Sequence, residues 1–313
     1  VPGSDLNPSV LIVGGYATAP PNYWPMRRRL VRRGAARVDI APIWPPDWML
    51  AGILGFGPLL RRTGRAIART YHAGGRRPII VVGHSGGGIA ARLAMSNEPF
   101  NGRLAAVSEA VGCLVTLGTP HRLAQLPNRY YHAGHQATAF LDRESPGAYF
   151  APRTSYLSVG SSYPVQAYPG LVGRLAGEFF SIAVGDDTRA AGDGIVPASG
   201  VHLEGAEQLT FDDVLHGHIG APWYGDEKII ERWWPVAERL WREALVARES
   251  DDQVRVDATR SMTRSARQSS AGGPADGSGG RNRRRRASTE SQAASNGELT
   301  AVPRPKASRR ASQ

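Results

Sequence analysis

The stretch Ile79-Ile80-Val81-Val82-Gly83-His84-Ser85-Gly86-Gly87-Gly88 constrains this chain more than any other. Its β-branched run, started by Pro78 and stopped by Gly83, reads as a strand buried on both faces. The apolar segment Ile89 to Met95 follows at once and reads as a helix. A strand delivered into a helix through glycines and one serine must turn sharply, and bulkier flanking side chains would collide. Such a turn lifts the Ser85 hydroxyl above the strand ends. It also puts the Gly86 amide at a helix N-terminus, where it is placed to stabilise an oxyanion. Gly-x-Ser-x-Gly alone is a weak signal; its place between strand and helix gives it weight. The plainest alternative is a glycine-rich connection with an incidental serine. A phosphate-cradling loop is the sharper rival, but neither Gly-x-Gly-x-x-Gly nor the Lys-Ser/Thr pair occurs at this turn.

The rest of the body repeats the rhythm. Val10–Val13 runs into Gly14-Gly15, a helix rich in Arg is expected from Tyr23 to Arg33, and Val38–Ile43 is a second strand candidate. Leu59 to His72 has helical spacing, Leu114–Leu117 is strand-like, and further strands are expected at Tyr156–Val159, Phe180–Val184 and Gln208–Phe211. Near the end Ile230, Trp233, Trp234, Ala237, Leu240, Trp241, Ala244 and Leu245 form one wide apolar helix face, a stripe for packing on a sheet. Alternation with continuous apolar strands predicts a mostly parallel sheet covered by helices on both faces. Residues 121 to 177 interrupt the rhythm with scattered aromatics, and a cap insertion is expected there, the alternative being that those aromatics are core.

The net charge of +11 is unevenly spread. Residues 250–313 hold 13 Lys+Arg against 6 Asp+Glu, and residues 1–249 hold 25 against 21. Large apolar residues nearly vanish after 249, and such a composition cannot offset its ordering entropy, so 250–313 is expected to be a disordered Arg/Ser-rich tail. Its clusters Arg283–Arg286 and Arg309-Arg310 suit weak contact with anionic surfaces; no aromatics interleave them, so no specific nucleic acid is predicted. The single cysteine, Cys113, excludes an intrachain disulfide and a cysteine-rich zinc site. The apolar stretch Met49 to Leu60 is too short to span a membrane, and no transmembrane segment is expected. Cytoplasm or plastid stroma fits one unpaired thiol. Val1 in place of Met leaves room for a missing amino-terminal segment.

Three further stretches accompany Gly83–Gly87: Thr116-Leu117-Gly118-Thr119-Pro120-His121, Gly192-Asp193-Gly194-Ile195-Val196-Pro197, and the segment that ends in Trp223-Tyr224-Gly225. Together they resemble the α/β-hydrolase family in its lipase-like and esterase-like branch. The last two are most similar to cyanobacterial and plastid α/β-hydrolases of unassigned substrate. The resemblance spans about residues 10–245 and implies the α/β-hydrolase fold.

It also implies a catalytic triad in the chain order Ser, Asp, His. Ser85 is then the nucleophile. Asp193 matches the family's acid-bearing loop, with Asp186 and Asp187 as rivals and a plain Asp-Gly turn as the alternative. His216 occupies the place of the base, with His218 as runner-up; no third ligand accompanies that His-x-His pair, so no metal is expected. The oxyanion hole would be Gly86 together with Tyr16, or Ala17 in its place, from the turn after the first strand. Hydrolysis of carboxylic esters, of acyl lipids or similar apolar esters, is the implied activity, and no cofactor is required. A thioesterase or amidase would use the same groups, and a non-catalytic binding protein of this fold would need a broken triad.

Overall fold

A computed structural model describes residues 6–122, 129–163, 191–217 and 222–271. Six parallel strands form one sheet in the order β2-β1-β3-β4-β5-β6. They are β1 (Ser9–Val13), β2 (Arg37–Ile40), β3 (Ile79–His84), β4 (Val111–Leu117), β5 (Ser155–Ser161) and β6 (Glu207–Phe211). Odd and even residues of the same strand face different layers. Leu11, Val13, Ile79, Val81 and Leu114 join one core cluster, and Val10, Ile12, Ile80, Val82, Cys113 and Val115 the other. Burial on both sides is why these strands read as unbroken apolar runs.

The first layer packs α2 (Pro45–Leu54), α3 (Gly57–Ala73), α4 (Gly86–Met95) and α5 (Arg129–Glu144) on the sheet. The second packs α1 (Trp24–Arg32) and α7 (Glu227–Ala271), with Met26, Leu30, Ile230, Trp233 and Trp241 on the strands. A one-turn helix, α6 (Ala198–Val201), lies between β5 and β6 in sequence. The chain leaves β1 for β2 at the edge and then crosses back to β3. The connection reverses between β1 and β3, and in an open parallel sheet ligands bind outside the carboxyl ends of the strands at such a point.

Within 121–177, the described part contains α5 and β5: Ala133, Ala137, Phe140 and Leu141 are buried core residues and β5 pairs with both β4 and β6. Helix α2 was not anticipated, because Pro45-Pro46 reads as a breaker. Proline is tolerated at the first helical turn, and Asp47 Oδ2 accepts the Trp44 amide at 2.9 Å to cap it. Helix α7 continues past 249 to Ala271. No Gly or Pro stands between Pro235 and Gly272, and bonds such as Gln253 Nε2 to Asp257 Oδ2 at 3.0 Å support the added turns. The strand expected at Phe180–Val184 and the basic clusters beyond 271 lie outside the described residues.

No described helix is long and apolar enough to cross a membrane.

Candidate active site

Ser85 stands between β3 and α4 with φ 54° and ψ −131°, a backbone region that a residue with a side chain rarely adopts. Conformations of this kind cost about 1–3 kcal/mol and persist only where the surroundings over-determine them. Here three bonds do so. The Ser85 amide donates to Leu117 O at 2.9 Å, and its carbonyl accepts from Gly88 N at 3.1 Å and from Thr119 Oγ1 at 2.9 Å. The glycines answer a space requirement as well. A Cβ on Gly87 would lie 2.1 Å from Val13 O, and one on Gly83 would lie 2.5 Å from Gly88 Cα.

Asp193 and His216 arrive from the other side of β4. Asp193 is buried, and its Oδ1 accepts the Val196 amide at 2.7 Å and the Ile195 amide at 3.1 Å. Its Oδ2 accepts His216 Nδ1–H at 2.7 Å and the Tyr224 hydroxyl at 2.9 Å. Burial alone would raise the Asp193 pKa. The His216 charge, its hydrogen bond and the two amides outweigh burial and hold the carboxyl below its ordinary value. Gly118, at φ 54°, lies where the three side chains converge: a Cβ there would be 2.5 Å from Asp193 Oδ2 and 3.1 Å from His216 Nδ1. The bond to Asp193 engages Nδ1 and leaves the other ring nitrogen, Nε2, outside that pair. Ser85 Oγ forms no hydrogen bond to His216 among the described residues.

His84 links these parts. Its Nε2 lies 2.9 Å from His216 O, a carbonyl that can only accept, so Nε2 carries the proton. Nδ1 then accepts from the Tyr23 hydroxyl at 2.8 Å, and Tyr23 Oη in turn accepts the Gly15 amide at 3.0 Å. Burial, with the neighbouring His216 charge, lowers the His84 pKa from 6.5 to about 3, so this ring is neutral. The same burial pushes the Tyr23 phenol up to about 12.

The turn after β1 lies against the serine, since a Cβ on Gly15 would meet Ser85 Cβ at 2.6 Å and Oγ at 3.1 Å. Tyr16 follows with its side chain exposed and its ring edge-on to Trp48, centroids 6.2 Å apart. Trp48, from α2, also stands 2.9 Å from where a Cβ on Gly86 would be. The residues expected to form the two oxyanion donors therefore share one wall. Tyr23, Trp48, Thr119 and Tyr224 were not anticipated as site residues. For Tyr224 the only signal was the Trp223-Tyr224-Gly225 stretch, which names no role. Asp186, Asp187 and His218 lie outside the described residues. His121 is engaged elsewhere, with Arg92 Nη1 at 3.3 Å and Thr116 Oγ1 at 3.2 Å. No group of three or more His, Cys, Asp or Glu among the described residues is arranged to hold a metal ion.

These features define an α/β-hydrolase fold, and comparisons with known proteins agree. A PGAP1-like alpha/beta domain model matches residues 59–143, which contain β3, the Ser85 turn, α4 and β4. The mature form of a Bacillus licheniformis lipase, BlEst2, superposes with a TM-score of 0.54 at 16% identity, covering 74% of this chain and 92% of that one. Its propeptide form gives 0.52 at 16% identity, over 76% of this chain and 51% of that one. A metagenomic carboxyl esterase, MGS0156, gives 0.46 at 13% identity, over 79% and 76% respectively. At such identity the likeness is one of fold. No curated protein sequence matches the chain. The matches give no support to an affinity with cyanobacterial and plastid hydrolases in particular.

Proposed function

We propose that the chain is a serine hydrolase of carboxylic esters. The observation that carries this reading is the 2.7 Å bond between His216 Nδ1 and Asp193 Oδ2, taken together with the strained turn at Ser85. In the reaction, Ser85 Oγ attacks the ester carbonyl carbon while His216 Nε2 takes the hydroxyl proton, and Asp193 holds the imidazole in the tautomer that leaves Nε2 free. The carbonyl oxygen becomes negative and is met by the Gly86 and Tyr16 amides, the former at the N-terminus of α4. Collapse of the tetrahedral species breaks the bond to the alkoxy oxygen, which leaves with the proton from His216. Water, deprotonated by His216, then attacks the acyl-serine; its proton returns to Ser85 as the carboxylic acid departs.

Apolar esters, acyl lipids among them, are the proposed substrates. Trp48 packs against Gly86, the residue after the serine, and the helix that carries it leaves Met49, Leu50, Ile53 and Leu54 exposed. Contiguous exposed apolar surface is uncommon on soluble proteins and marks sites for apolar ligands or surfaces.

Labelling with a fluorophosphonate, mapped by peptide mass spectrometry, tests the reaction class. Modification of Ser85 that is lost in His216→Ala is expected; no labelling of folded protein would overturn the assignment. A panel of matched oxygen esters and thioesters tests the bond cleaved, and thioesters turned over far faster would replace esterase with thioesterase.

A further inference from the structure

We propose that Tyr224 is a positioning residue for the acid–base pair, its hydroxyl donating to the same carboxylate oxygen that holds the His216 imidazole. The inference rests on the hydrolase reading and deepens it. Asp193 Oδ1 is occupied by two amides, so Oδ2 alone serves the base, and it receives His216 Nδ1 at 2.7 Å and Tyr224 Oη at 2.9 Å. The second donor fixes the direction in which Oδ2 offers its remaining lone pair, and with it the plane of the ring. It also takes a share of the negative charge on that oxygen. An imidazolium facing Oδ2 is then held less tightly than by an unshared carboxylate, and gives its proton to the departing alcohol more readily.

Tyr224 is fully buried, and beside it a Cβ on Gly118 would already lie 2.8 Å from Tyr224 Cε2. The hydroxyl is not what places the residue. The Tyr224 carbonyl accepts Trp233 Nε1–H at 3.0 Å, and the preceding amide, Trp223 N, donates to Asp226 Oδ2 at 3.1 Å. Asp226 is itself paired with Arg29 at 3.1 Å. A phenylalanine would therefore occupy the same place. Among the described residues the titratable groups around the pair are His84, whose ring centroid lies 6.2 Å from that of Tyr224 and 4.8 Å from that of His216, and Tyr23 behind it. Burial keeps His84 neutral and Tyr23 protonated through the working range, and among the described residues Tyr224 is the neutral donor that shares Asp193 Oδ2 with His216.

Tyr224→Phe tests the proposal through the pH profile of kcat/KM and the downfield proton resonance of the His216–Asp193 bond. The acid limb is expected to move to higher pH by about half a unit, with kcat reduced about three- to tenfold and KM unchanged. The downfield resonance is expected to shift. A variant with less folded protein but an unmoved acid limb and resonance would show a packing role only and overturn the proposal. Should the variant not fold, unsubstituted protein carrying tyrosine labelled with carbon-13 at Cζ supplies a second measurement. The Tyr224 resonance should follow the titration of the downfield proton, and a flat response overturns the proposal. The two readings fail separately. Absence of fluorophosphonate labelling at Ser85 with a resonance that still responds to Tyr224→Phe ends the hydrolase reading and keeps the shared oxygen. Labelled Ser85 with an unmoved resonance and acid limb does the reverse.

Discussion

The two flanks of Ser85 are built on opposite terms. On the β5–β6 side the Asp193 carboxylate is saturated: it accepts four hydrogen bonds, and Trp233 Nε1 donates to Tyr224 O beside it. On the α2 side the Tyr16 ring, exposed by 54%, meets Trp48, and the helix that carries Trp48 leaves Leu54 exposed by 62%. Trp48 Nε1 on that side is buried with no hydrogen-bond partner among the described residues. A group that must hold a proton in one place needs surroundings that fix it from several directions, because an unpaired buried charge is expensive. A wall that meets an apolar substrate needs shape and apolar area, and few bonds. Under the proposed hydrolase reading, the contrast fits proton handling on one flank and substrate contact on the other.

The largest effect that would break this division is on the closed flank. Asp193→Asn keeps the shape but leaves the base in the wrong tautomer, and kcat should fall by about 10⁴ with little change in KM. A loss below tenfold, measured on the best ester of the panel, would remove Asp193 from the reaction. Next comes the packing behind it. Trp233 is fully buried on α7 and braces Tyr224 through its indole N–H, so Trp233→Ala should cost about 3–5 kcal/mol in urea unfolding. A cost under 1 kcal/mol would mean that the closed flank is held from elsewhere.

His84 joins the flanks, and its buried neutral ring makes the stability of the whole pH-dependent. Its pKa lies at about 3 in the folded chain against 6.5 for an ordinary histidine. Between those values the unfolded chain binds a proton that the folded one does not, so stability falls as pH drops from 6.5 towards 3, by up to about 1.4 kcal/mol per unit. His121, also lowered by burial, adds to the same slope. Urea midpoints at several pH values should show this, and His84→Gln should remove up to one proton from the slope. An unchanged slope would mean that His84 is not the neutral link between the flanks.

How legible each flank was follows from what fixes it. The Ser85 turn was readable because its backbone geometry dictates composition: Gly83, Gly87 and Gly88 have no room for a Cβ. Strands β1, β3 and β4 were readable because burial on both faces makes their centres apolar runs. Asp193 and His216 were named on resemblance alone, since nothing local distinguishes an acid whose partner stands 23 residues away. Tyr224 was invisible for the same reason, its contact with Asp193 spanning 31 residues. Helix α5 was obscured because its buried face is built from Ala133, Ala137, Phe140 and Leu141 amid polar and aromatic neighbours, a narrow stripe that tertiary packing completes.

The smallest expected effect on stability belongs to the open flank, and it sharpens the comparison most. Met49, Leu50, Ile53 and Leu54 are each more than two-fifths exposed, so replacing any one with serine removes little buried area. Each change should alter stability by less than about 0.5 kcal/mol. If α2 meets the substrate, the same changes should raise KM for a long-chain ester several-fold while leaving a short acetyl ester unaffected, because only the long chain reaches beyond Trp48. Steady-state kinetics on Ile53→Ser and Leu54→Ser with the two esters separates the cases. Equal KM changes on both esters, or none on either, would mean that the exposed face of α2 has no part in recognising the acyl chain, and the substrate wall would then end at Trp48.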